Sequence, residues 1–195
     1  MSSRRELRHA TRQRVIGAAD RLFQERGFDV TTIRDIADAS AVSVGSVMAA
    51  GDKNALLVQV FDSLIEQGHS RSVADAPRDA SCAARILYLV QPFVALFAGR
   101  PDLSRIYASV QVSGRQSSPL FTRLAALLIN EIGSTLTAHG CTAPDAITAT
   151  SRAIYFSYIG TLFSWPAAEA IDEAELLASL DLTFTSICTC TKDAK

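Results

Sequence analysis

The sequence predicts an all-α protein of about nine helices, and three observations lead there. Apolar residues recur at helical spacing along most of the 195-residue chain. Glycine, proline and small polar residues interrupt that pattern about once per helix length. No stretch shows the strict apolar–polar alternation of a half-buried strand. A hydrophobic content of 48% against 20% charged residues supplies a packed core and excludes a disordered chain.

The elements follow in order. Residues 12–26 place Val15, Ala18, Ala19, Leu22 and Phe23 on one helical face, and Gly27 stops that helix. Thr32-Ile33-Arg34-Asp35 has the form of a capping box and opens a short helix with Ile33, Ile36 and Ala37 inward. Ser40-Ala41-Val42 is a tight link. Ser43 then caps a third helix of about two turns, broken at Gly51-Asp52. Asp52 caps a fourth helix carrying Leu56, Leu57, Val60, Phe61, Leu64 and Ile65. The polar stretch 68–81, with Gly68 and Pro77, reads as a loop or domain junction. Residues 82–98 form an apolar helix that Pro92 is expected to kink. Pro101 starts a short helix to about Ser113, and Ser118-Pro119 starts one that runs to His139 and stops at Gly140. Pro144 starts the next, which runs to Trp165-Pro166. Asp172 caps the last, with Leu176, Leu177, Leu180, Phe184 and Ile187 on one face.

Charge is unevenly spread. Residues 1–53 hold nine Lys and Arg against seven Asp and Glu, and residues 54–195 hold ten against thirteen. Five arginines fall within the first fourteen residues, against Glu6 alone. A basic start on an acidic body suits an anionic partner at one end. The opening MSSRRELRHATRQR lacks the apolar core of a secretory signal. The longest uncharged stretches, 86–99 and 153–168, fall short of the roughly 18 to 20 residues of a membrane span. A cytoplasmic chain with no membrane partner is expected.

Of the four cysteines, Cys82, Cys141, Cys188 and Cys190, only the last two are close. Cys188-Thr189-Cys190 is neither a CxxC redox motif nor a zinc pair with a neighbouring histidine. Reduced thiols are expected, with no metal and no cofactor. The histidines His9, His69 and His139 are scattered, and no GxSxG, HExxH or phosphate loop is present, so no enzyme is expected.

Residues 12–62 resemble the TetR family of bacterial transcriptional regulators. The residues that carry the likeness are Ala18-Ala19, Leu22-Phe23, Gly27-Phe28, Thr31-Thr32, Ile36-Ala37, Val42-Ser43-x-Gly45-Ser46, and Lys53 followed by Leu56-Leu57. The resemblance implies a three-helix helix-turn-helix DNA-binding domain with a basic arm at 1–53, and a larger helical ligand-binding and dimerisation domain at 54–195. It implies a regulator, most often a repressor, that binds a palindromic operator on double-stranded DNA as a homodimer and is released by a small molecule.

In a helix-turn-helix the second helix lies in the major groove and the first braces the backbone. That assigns base or groove contact to Ser43, Val44, Gly45, Ser46, Val47 and Met48. Phosphate contact falls to Arg4, Arg5, Arg8, Thr32, Arg34 and Lys53. The family's usual aromatic residues are absent at Met48 and before Lys53, and the link between them is one residue short. The reading helix thus offers mainly apolar side chains, which suit thymine methyl groups and an A·T-containing site.

In the larger domain, Phe93, Phe97, Tyr107, Gln111, Phe121, Tyr155, Tyr158 and Trp165 lie on helices able to surround a pocket, and scarce buried charge implies an apolar or aromatic ligand. The small residues Ala153, Ser157, Gly160 and Ser164, spaced by three or four, together with Leu180 and Phe184, suit a dimer interface of two helices from each chain. The contrasting expectation is a helical sensor or partner-binding protein whose helix-turn-helix no longer binds DNA.

Overall fold

The computed structural model describes residues 4–68, 80–116, 118–164, 172–188 and 190. Among these the chain is helical without strands. The helices are α1 (Arg4–Arg26), α2 (Ile33–Ser40), α3 (Val44–Ala50), α4 (Lys53–Gly68), α5 (Cys82–Ala98), α6 (Pro101–Val112), α7 (Pro119–His139), α8 (Ile147–Ser164) and α9 (Glu173–Ile187). No single helix among the described residues is long and apolar enough to cross a membrane.

Two differences from the sequence expectation concern helix starts. α1 begins at Arg4, so Arg4, Arg5 and Arg8 stand on helix and are not a separate extended arm. α8 begins at Ile147, because Pro144–Ala146 is used up in a turn whose Ala146 N–H bonds to the Ala143 carbonyl. The predicted end at Trp165-Pro166 lies outside the described residues.

The chain divides into two compact units. One holds the described residues as far as Leu64 together with Asp102–Ser118. The other holds Ile65–Pro101 and the described residues from Pro119 onward. The division of roles expected at 53/54 thus falls inside the first unit. The reason is packing. Leu56, Leu57, Val60 and Phe61 of α4 are buried, and the Phe61 ring stacks on Tyr107 of α6 at 4.4 Å.

In the first unit, Val15, Ala18, Ala19, Leu22 and Phe23 are all buried, as the spacing on α1 requires. They meet Phe28, Ile36, Ala37 and Val47, all buried as well. Phe23 and Phe28 pack at 5.1 Å. The buried Thr31 hydroxyl donates to the Gly27 carbonyl at 2.7 Å and to the Leu22 carbonyl at 3.3 Å, which ties the loop back onto α1. In the second unit α5 packs on α7 and α9, and α8 lies between α7 and α9. Gly133 sets the approach of α7 to α8, since a methyl group there would meet the Ser151 hydroxyl at 3.2 Å.

Candidate nucleic-acid interface and ligand cavity

The geometry of α2 and α3 is set locally. The Thr32 hydroxyl accepts from the Asp35 N–H at 3.1 Å, and the Asp35 carboxylate accepts from the Thr32 N–H at 2.8 Å, which completes the capping box. At the other end Ala41 takes a left-handed conformation, φ 53°, and the Val42 N–H reaches back to the Ala37 carbonyl at 3.1 Å. That closes the tight turn of a helix-turn-helix. The Ser43 hydroxyl then accepts from the Ser46 N–H at 3.1 Å and starts α3.

α3 presents Val44, Gly45, Ser46, Met48 and Ala49 to solvent. Met48 is 52% exposed, so its side chain is no part of the core. Nothing but the Ser43 hydroxyl, at 3.8 Å, comes near the missing side chain of Gly45. Val47 corrects the expectation. It is fully buried, because the inward face of a seven-residue helix must hold it to α1 and α2. It anchors α3 and does not face outward.

Two of the expected phosphate ligands are otherwise engaged. Thr32 gives both its N–H and its hydroxyl to the Asp35 carboxylate, at 2.8 and 2.6 Å. Those bonds, with the Arg26 guanidinium nearby, hold the Asp35 carboxyl below its ordinary value. A carboxylate therefore occupies the N-terminus of α2, where an anion was expected. The Lys53 ammonium donates to the carbonyls of Phe28, Asp29 and Thr31 at 2.9, 3.1 and 3.2 Å and sits 4.4 Å from the Phe28 ring centre. An ammonium has three N–H groups, and three carbonyls take them. Lys53 holds the α1–α2 loop against α4. Arg34 remains exposed on α2.

Arg4, Arg8 and Arg12, with Leu7, Thr11 and Val15, line one groove together with Ser46, Ala49 and Ala50 of α3, about 610 Å³ in volume. Arg4, Arg5 and Arg8 are exposed. Basic side chains and the outward face of α3 thus border the same space, where a phosphate backbone and a groove can be met together.

The short α3–α4 link has its own solution. Gly51 adopts φ 147° and ψ 172°, a region open only to glycine, and its Cα lies so close to Ala55 that a methyl group would sit 2.7 Å from the Ala55 Cβ. The Gln59 amide donates to the Ala50 carbonyl at 2.9 Å and to the Ala55 carbonyl at 3.1 Å, and its oxygen accepts from Arg12 at 2.8 Å. Gln59 therefore ties α1, α3 and α4 together where no aromatic residue is present to pack them. Sequence reading missed it, for a half-exposed glutamine on a helix carries no local signal.

The second unit holds a cavity of about 50 Å³ lined by Ile65, Phe93, Phe97, Phe121, Leu124, Ala125, Leu128, Tyr155, Tyr158, Ile159 and Leu162. Five expected residues are there: Phe93, Phe97, Phe121, Tyr155 and Tyr158. Tyr107 and Gln111 are not. Tyr107 is fully buried against Phe61, and Gln111 donates to its hydroxyl at 3.1 Å. Trp165 lies outside the described residues. Ile65, Leu124, Ala125, Leu128, Ile159 and Leu162 went unforeseen, since aliphatic residues at helical spacing look alike whether they face a core or a cavity. Burial pushes the Tyr155 phenol up to about 12, so it remains a neutral hydrogen-bond donor at neutral pH.

The expected dimer residues also divide. Ala153, Gly160 and Ser164 of α8 are exposed, Ser157 is half-buried, and nothing lies within 4 Å of the place a Gly160 side chain would take. Beside them Phe156 is 56% exposed, and on the neighbouring α9 Leu182 is 71% exposed. Leu180 and Phe184, by contrast, are fully buried within the chain, where α9 packs on α5 and α8. They are core of this chain and lie off the open face.

Residues 15–60 match the profile of the bacterial regulatory proteins, tetR family. Comparison with curated proteins finds no match. Solved structures share the fold. A TetR transcriptional regulator from Rhodococcus sp. RHA1 is 17% identical with a TM-score of 0.66, covering 92% of this chain and 95% of its own. FadR of Thermus thermophilus, a TetR-family transcriptional repressor solved with lauroyl-CoA, is 21% identical with a TM-score of 0.67, covering 94% and 98%. FadR of Bacillus subtilis, solved with stearoyl-CoA, is 17% identical with a TM-score of 0.61, covering 92% and 99%.

Proposed function

Since the N-terminal domain belongs to the TetR family of bacterial regulatory proteins, we propose that this chain is a ligand-responsive transcriptional repressor that binds a palindromic operator as a homodimer. Residues 1–53 supply the DNA contacts, and residues 54–195 the ligand site and the dimer face. The observation that carries the reading is that Ser46 and Ala49, on the outward face of α3, border the same groove as Arg4, Arg8 and Arg12. Apolar contact favours thymine methyl groups, Ser43 and Ser46 add hydrogen bonds, and the arginines supply most of the affinity.

Genomic selection with the purified protein tests this. An enriched, A·T-containing inverted repeat is expected. Its absence at low salt without ligand would leave the other reading, a sensor whose helix-turn-helix is scaffold. The internal engagement of Thr32 and Lys53 is the observation that favours that reading.

Gly45→Ala separates fold from contact. No neighbour blocks a methyl group within the chain, and alanine is the better helix former by about 1 kcal/mol. The melting temperature should hold or rise. Operator affinity should fall about tenfold, because the α3 backbone can no longer lie against the DNA. Unchanged affinity would remove Gly45 from the interface.

The ligand we propose is apolar and extended, of the acyl-chain kind bound by the two FadR proteins. A drug-sized ligand needs ~300–1,000 Å³. The cavity's 50 Å³ means that its aromatic walls part on binding, which supplies a conformational change to transmit. Acyl-CoA should release the selected DNA in a gel shift, and failure of every chain length would exclude this ligand class.

For the dimer, the exposed Ala153, Phe156 and Gly160 of α8 and Leu182 of α9 form the apolar face that a second copy would cover. Gly160→Leu should leave the fold and its helix content unchanged yet yield monomers by light scattering, through a steric cost of ~1–3 kcal/mol at each copy's contact. A dimer of unchanged stability would place the interface elsewhere.

A further inference from the structure

We propose that Cys82, His139, Cys141 and Cys190 form a four-coordinate binding site for a thiophilic divalent cation of the zinc class. The four come from three places in the second unit: the first turn of α5, the end of α7 with the residue just beyond Gly140, and the segment after α9. Their ligand atoms all lie within 4.8 Å of one another. Cys82 Sγ is 2.7 Å from Cys190 Sγ and 3.5 Å from Cys141 Sγ, and Cys190 Sγ is 3.8 Å from His139 Nδ1.

Three sulfurs and one imidazole are a Cys₃His set, the donor chemistry of structural zinc sites. With Zn–S bonds of ~2.3 Å, tetrahedral geometry spaces the sulfurs by roughly 3.8 Å. The Cys82–Cys141 and Cys190–His139 separations already suit it. Cys82 and Cys190 must open by about 1 Å. Soft thiolate ligands exclude magnesium and calcium. All four positions belong to the protein, so the site is closed and takes no part in hydrolysis.

Hydrogen bonding with Cys188 and then burial push Cys82 well above the ordinary thiol value, and burial pushes Cys190 up to about 12. Cysteine binds such an ion as thiolate, so any S–H proton leaves to solvent as three thiolates and one imidazole take it. The consequence is mechanical. The ion joins the starts and ends of α5, α7 and α9, and α5 and α7 also carry Phe93, Phe97 and Phe121 of the cavity.

The test uses the reduced, chelator-treated full chain, titrated with Co²⁺ without oxygen. The intense visible absorption of tetrahedral thiolate-bound Co²⁺ is expected, saturating at one ion per chain and displaced by Zn²⁺. Zn²⁺ should also raise the melting temperature. Cys141→Ser and His139→Ala, both outside the core, should keep wild-type helix content and each weaken Co²⁺ binding tenfold or more. The weak spectrum of octahedral Co²⁺, or variants that bind as tightly as the parent, would overturn the site. So would intact mass two hydrogen atoms short in the air-exposed chain, with peptide mapping joining Cys82 to Cys190 and no metal uptake after reduction, which would make them a disulfide pair. None of these outcomes depends on whether the chain binds DNA.

Discussion

Replacing Gly51 by alanine is expected to cost about 3 kcal/mol or more, the largest effect of any single methyl group in the N-terminal unit. Two penalties add. The backbone at φ 147° and ψ 172° lies where only glycine is at ease, worth ~1–3 kcal/mol. The new Cβ would also stand 2.7 Å from Ala55 Cβ and 3.4 Å from the Gln59 amide, and Ala55 is fixed to the α4 backbone and cannot turn away. Thermal and urea unfolding of the purified variant give the magnitude. Adding Ala55→Gly removes the clash and leaves the backbone strain, so the double variant should recover part of the loss. A cost under about 0.5 kcal/mol for Gly51→Ala would mean that the α3–α4 link is pliable and does not set the angle of α3.

The second large effect is that of Lys53→Ala. Three carbonyls of the α1–α2 loop lose a charged donor, and hydrogen bonds to charged groups are worth ~1.5–3 kcal/mol where they are shielded from water. About 2 kcal/mol is expected for the whole set, because the Asp29 bond is exposed. Lys53→Arg should not rescue it, since a planar guanidinium cannot place three donors on three converging carbonyls. Affinity for DNA should fall with the folded fraction while the dependence of the remaining binding on salt stays the same. Loss of a true phosphate contact would instead flatten that slope by about one unit. A stable Lys53→Ala chain with a flattened slope would return Lys53 to the DNA interface.

Both residues show how far sequence reading reached. Ser43, Gly45, Ser46 and Lys53 were singled out together by the TetR resemblance, and three of them do stand on the outward side of α3 or at its cap. Lys53 stands at the start of α4 as expected, and its ammonium donates to carbonyls of its own chain. Its position at the start of α4 is a local fact, but its partners lie 22 to 25 residues earlier in the chain. Phe93, Phe97, Phe121, Tyr155 and Tyr158, whose helices converge, line the cavity, whereas α6 carries Tyr107 and Gln111 into the first unit. Aromatic content cannot tell the two apart.

By itself the sequence determined the helices, their caps and their stops: the Thr32 box, the Ser43 and Asp172 caps, and the Gly27 and Gly140 ends. These depend on backbone groups three or four residues away, so the residues beside them decide them. Only the tertiary structure decided which side of α3 Val47 takes, that Gln59 joins three helices, that Leu180 and Phe184 are spent within the chain, and that four ligating residues spread from 82 to 190 meet. Each of these is a choice of partner between distant segments. Helical spacing says only that a face is apolar, and the packing of other helices decides what covers it.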